Sequence, residues 1–143
     1  MTPRARPRAP AALQYFDRIG GDRFGGDRIG WERVRRHNHD LAVWAMQTLV
    51  EQWSVESLSP LDGSMLASMA AIPVPAQVQK RFASEVALQA HLYDVHRIEI
   101  PVIDWKGRWH VRVSCHLHTT PDLIERLGVV VRLLADGGDV HVA

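Results

Sequence analysis

Five polar side chains crowd the stretch from Trp109 to His118: His110, Arg112, Ser114, His116 and His118. The first four alternate with Val111, Val113, Cys115 and Leu117. Successive side chains of a β-strand point to opposite faces. The spacing therefore predicts a strand over Trp109–Leu117, with one apolar face and one face carrying a guanidinium, a hydroxyl and imidazoles. A guanidinium presents its donors as a planar fork that matches both oxygens of a carboxylate. Arg112 sits in the middle of the polar face and is the candidate substrate-binding residue, with a carboxylate as its partner. A solvated sheet arginine has the same periodicity. Three histidines at spacings of six and two form no recognised metal pattern.

Other reactive residue types point nowhere so specific. Cys115 is the single cysteine, which excludes an internal disulfide and fits a reducing compartment. Its place on the apolar face makes it a small hydrophobe rather than a catalytic thiolate. His37 and His39 are two apart and point to different sides of a helix. His91 and His96 are five apart, not the four that puts two metal ligands on one helical face. Fifteen Arg stand against two Lys, so Lys80 and Lys106 are the only amines for a Schiff base. The acids, Glu51 and Glu56 among them, are too scattered to nominate an acid/base couple. Gly-x-Ser-x-Gly, Cys-x-x-Cys and His-Glu-x-x-His are absent. No residue is nominated as catalytic or metal-binding.

The bulk properties are those of a folded domain. At 143 residues, 46% hydrophobic and 23% charged, the chain can bury a core. A formal net charge of +1 supplies no field to recruit nucleic acid or an anionic membrane. The five tryptophans fall on apolar stripes or near a hairpin, which fits packing better than base stacking. No apolar run is long enough to span a membrane, and a cytoplasmic location is expected.

The elements that must position Arg112 read as follows. Residues 1–12 are expected to be a disordered basic tail, because Met1–Pro10 is rich in Arg and Pro and has no hydrophobic segment behind it. Residues 13–30 are expected to hold a short helix and a Gly-rich loop built from a pentad, Asp17-Arg18-Ile19-Gly20-Gly21, copied nearly three times. A pentad is too short for a solenoid unit. A phosphate-cradling loop would need a preceding strand that is missing. Residues 31–136 carry the domain proper. Trp31, Val34, Asn38, Leu41, Ala45, Leu49 and Trp53 recur at helical spacing and predict a helix over Ile29–Trp53. Ala67–Ile72 reads as a short buried strand. Val78, Phe82, Val86, Leu88, Leu92 and Val95 predict a second long helix over Gln77–Val95. Ile98, Ile100 and Val102 alternate as a strand, at an edge or bulged because of Pro101. Lys106-Gly107 makes a tight hairpin turn. Thr120 and Pro121 open a last helix, with Leu123, Leu127, Val130 and Leu134 as its stripe and Gly137-Gly138 as its stop. Residues 137–143 form a tail. The layout is α+β: a small, mainly antiparallel three-stranded sheet with helices packed on one face.

Several segments together resemble a known family. They are Gly30-Trp31-Glu32-Arg33-Val34-Arg35-Arg36-His37-Asn38-His39, Gly63-Ser64-Met65-Leu66-Ala67-Ser68-Met69, His96-Arg97-Ile98-Glu99-Ile100-Pro101-Val102, Val111-Arg112-Val113-Ser114, and the Thr120-Pro121 helix start. As an ordered set over residues 13 to 135 they resemble the small C-terminal domain of the class V aminotransferases, most closely the isopenicillin-N-epimerase-like branch. The resemblance implies fold type I and pyridoxal phosphate chemistry on an amino-acid-like carboxylate substrate. It implies that Arg112 binds the substrate carboxylate. In such enzymes a large domain carries the cofactor lysine, its pyridine-nitrogen acid and the phosphate loop, and the small domain closes over the substrate. Neither Lys80 nor Lys106 has the context of that lysine. The expectation is thus a partial class V aminotransferase-like protein, a C-terminal fragment or the product of a truncated frame. It would hold no pyridoxal phosphate covalently, would not be catalytic alone, and would be completed by a large-domain or homodimer partner. The alternative is a free-standing carboxylate-binding or dimerisation module.

Overall fold

The computed structural model describes residues 11, 13–15 and 30–138. Ala11 and Leu13–Tyr15 are helical; the rest of the tail, the pentad repeats and the residues from 139 onward lie outside the described residues. The elements after Gly30 run α1 (Trp31–Trp53), β1 (Met69–Pro73), α2 (Ala76–Gln79), α3 (Glu85–Asp94), β2 (Val102–Trp105), β3 (Arg108–Ser114) and α4 (Pro121–Ala135). The α+β layout is as the periodicities imply. β3 is the central strand of an antiparallel sheet in the order β1-β3-β2.

The core follows from the pleat. Ala70 and Ile72 of β1, Val102 of β2, and Trp109, Val111 and Val113 of β3 share the buried face. α1 packs on it with Leu41, Ala42, Ala45, Met46, Leu49 and Trp53. α4 adds Ile124, Leu127, Val130, Val131 and Leu134 to the same core. α1 ends where Ser54 turns left-handed at φ 52°, and the Val55 N–H closes back on the Val50 carbonyl. α4 begins at Pro121 as expected. Thr120 has the extended N-cap backbone, but its hydroxyl makes no cap bond.

The long helix expected over Gln77–Val95 is two helices. Ser84 is extended (φ −158°, ψ 165°), and its hydroxyl accepts from the Ala87 N–H at 3.1 Å, so it starts α3 afresh. The break resets the helical phase. Val86, expected in the stripe, is exposed, whereas Val78, Leu88 and Leu92 are buried. Arg81 pins the connection, donating to the carbonyls of Leu134 and Gly138 beside the end of α4. A cation there also suits the negative end of the helix dipole.

The strands differ from expectation at their ends. β2 starts at Val102 rather than Ile98, and β3 stops at Ser114 rather than Leu117. The first shift has a clear cause. The Arg112 N–H donates to the Pro101 carbonyl at 3.0 Å, and the reciprocal bond would need a proline N–H. The ladder fails at that pair, and the chain from Ile98 to Pro101 is not strand. At the other end the Lys106-Gly107 turn is as expected, with both residues at positive φ (55° and 80°). That is the type I′ geometry that matches strand twist. The Gly107 N–H donates to Asp104 Oδ1, and the Gln79 amide donates to the Gly107 carbonyl at 2.7 Å.

Candidate functional site

The failed ladder makes a cleft. Past Val111 the central strand has no β2 partner, and α4 bounds the remaining side. The resulting cavity of about 340 Å³ is lined by Arg97–Pro101, by Arg112–Ser114, by His118 and Thr119, and by the α4 residues Leu123, Ile124, Arg126 and Leu127. Its size and its mix of apolar walls with a few polar groups are those of a small-molecule pocket.

Arg112 lines this cleft, on the exposed sheet face opposite the core, as alternation predicts. Its cross-strand neighbour is Ala71, too small to cover it. Its guanidinium makes no hydrogen bond or ion pair among the described residues, so its fork is available. Ser114, on the same face, is also exposed and also lines the cleft.

Two residues of the expected polar face do not reach the cleft. His110 is buried, only 3% exposed, between its cross-strand neighbours Pro73 and Ile103 and with the Trp105 ring 6.2 Å away. Desolvation first, and the Arg108 charge second, push its pKa below the ordinary value. Alternation gives the face of a side chain but not what covers that face. His116 lies beyond the end of β3, its ring stacked 5.4 Å from that of His118, and only His118 reaches the cleft.

Three charged lining residues escape sequence reasoning. Arg126 reaches across from α4 and donates to the His96 carbonyl at 2.7 Å. Glu99 lines the cleft and makes no ion pair among the described residues. Arg97 lies two residues past Val95, the C-cap of α3, at left-handed φ 56°, with its N–H on the Tyr93 carbonyl at 3.0 Å. A glycine there would have signalled a helix end, and an arginine signals nothing.

The remaining reactive groups lie outside the cleft. Cys115 is buried, and desolvation raises its thiol pKa to about 11. Among the described residues no three His, Cys, Asp or Glu side chains are grouped to hold a metal ion. No described helix is long and apolar enough to cross a membrane. The two lysines lie apart from the cleft. Lys80 is exposed at the end of α2, and Lys106 sits at the hairpin tip with its Nζ 5.4 Å from the centroid of the Trp105 ring. Neither lines the cleft.

No family model matches the chain, and no curated protein matches it.

Proposed function

We propose that this domain grips the carboxylate of a small organic acid through Arg112, as the substrate-closing domain of a class V aminotransferase-like, isopenicillin-N-epimerase-like enzyme does. One observation carries the reading: Arg112 lines a concave, largely apolar cleft while its guanidinium is engaged by no protein group. Arg126 and Arg81 are by contrast tied to carbonyls of the fold.

In this reading the chain supplies the clamp and not the amine chemistry. Lys80 and Lys106 stand away from the cleft, so pyridoxal phosphate, used by the family, has no covalent anchor here. A large-domain partner would supply the Schiff-base lysine. Met69, Ile103 and Trp105 support such a partner, or a second copy, because they share the Arg112 face and are exposed. The single unpaired cysteine supports a cytoplasmic setting.

Calorimetry with small carboxylic acids and their matched amides tests the clamp. The acids should bind and the amides should not. Arg112→Gln should weaken acid binding by about tenfold or more. An affinity unchanged by that substitution, or no acid binding at all, would overturn the reading. Borohydride trapping with pyridoxal phosphate tests the cofactor statement. A stoichiometric adduct at Lys80 or Lys106 would refute it. Sedimentation across a concentration range separates a homodimer from a monomer awaiting a large domain.

A further inference from the structure

We infer that the cleft takes an α,ω-dicarboxylic acid with a short methylene chain, Arg112 holding one carboxylate and Arg97 the other. The inference rests on the proposed role of Arg112 and adds a second anion contact and a ligand class to it.

Three observations converge. First, charge: Arg97, Arg112 and Arg126 line one cleft against the single carboxylate of Glu99. Like charges brought together destabilise the empty site. Arg126 is tied to the His96 carbonyl, but the guanidiniums of Arg97 and Arg112 have no partner among the described residues. One monocarboxylate is satisfied by one guanidinium fork. Two free forks in one cleft call for two carboxylates.

Second, backbone: Arg97 holds φ 56°, a conformation that costs any residue with a Cβ and costs glycine nothing. Glycine is the usual occupant of left-handed positions where the chain leaves a helix. An arginine there carries a backbone cost that glycine would not, as Ser54 and Lys106 do at their turns. Observed strain of this kind gathers at ligand clamps.

Third, most of the remaining lining is apolar. Ile98, Ile100, Val113, Leu123, Ile124 and Leu127 line the same cleft. Methylenes lose water favourably against such a wall.

The experiment is calorimetry on the full chain with straight-chain diacids from succinate to suberate, with the monoacid of equal length for each, and with inorganic phosphate. Arg97→Gly and Arg112→Gln are measured beside the wild type, with a thermal melt of each. The wild type should bind its best diacid about tenfold or more tighter than the matched monoacid. Arg97→Gly should erase that difference and yet melt a few degrees higher, since the strain is gone. Arg112→Gln should lose diacid and monoacid together.

The outcomes separate the two claims. Equal diacid and monoacid affinities, both lost in Arg112→Gln, would overturn the second contact and leave the carboxylate clamp standing. Phosphate binding as tightly as the best diacid would also overturn the dicarboxylate, because it would mean charge without a spacer. A diacid preference that survives Arg97→Gly would remove Arg97 from the site. Failure of every acid to bind would overturn both claims.

Discussion

The indole N–H of Trp53 donates to the Gly128 carbonyl at 3.0 Å, joining two residues that are 75 positions apart. The bond ties the last turn of α1 to the middle of α4, one wall of the cleft. The approach is close because residue 128 has no side chain: a Cβ there would run into the Gln52 amide and come within 3.1 Å of Leu49 Cδ2. Trp53→Phe keeps most of the buried area and deletes the donor, so it should cost about 1 kcal/mol. Gly128→Leu should cost more, about 3 kcal/mol, by overpacking the helix contact. Urea denaturation monitored by circular dichroism measures both. A Gly128→Leu variant as stable as the wild type would mean that the two helices are not held at this separation.

A second tight approach lies on the loop between α1 and β1. Gly63 is buried at φ 77°, and a Cβ on it would collide with Val43 Cγ2. Gly63→Ala combines left-handed strain with a clash and should cost about 2 kcal/mol or more. Arg97, at a similar φ, makes the control. The two substitutions exchange alanine for glycine and glycine for arginine, and they should move the melting temperature in opposite directions.

Acid should weaken the fold through His110. Its folded-state pKa lies below the ordinary 6.5 because burial, then the Arg108 charge, disfavours the imidazolium. The unfolded chain therefore binds the proton more readily, so stability rises with pH across the interval just below about 6.5. The stabilisation is complete above 6.5 and is lost as the pH falls toward the depressed value. Urea midpoints at pH 7.5 and 5.5 should differ more for the wild type than for His110→Phe, which cannot titrate. An equal pH dependence in both would assign the acid sensitivity to other groups.

Cys115 should behave as a reporter of unfolding. Burial raises its thiol pKa to about 11, so at pH 8 scarcely any thiolate exists in the native state and the sulfur is covered. A thiol reagent such as Ellman's should label the native chain slowly and the urea-unfolded chain at once. Rapid labelling without denaturant would show that the end of β3 opens locally.

Local signals carried the reading of the fold where local physics decides it. The hairpin at Lys106-Gly107, the helix from Trp31 to Trp53 and the outward face of Arg112 each follow from a few neighbouring residues. The break at Ser84 did not emerge, because Val78, Phe82 and Val86 mimic one continuous stripe across two helices. The burial of His110 did not emerge either, since it depends on Pro73, Ile103 and Trp105, which the pleat alone does not place above it. Three of the cleft's four charged residues are invisible for the same reason. Arg126 arrives from a different element, and Arg97 from a backbone state that leaves no mark on the sequence of an arginine.

The hydrogen that Pro101 lacks sets how far the two strands can pair. An open-chain residue at that position would supply the missing donor to the Arg112 carbonyl and let the two strands zip further along their seam. The doorway would then narrow from its rim inward while Arg112 stayed where it is. In the proposed clamp, aperture and grip thus belong to different residues, and changing Pro101 is expected to retune which acids fit without replacing Arg112.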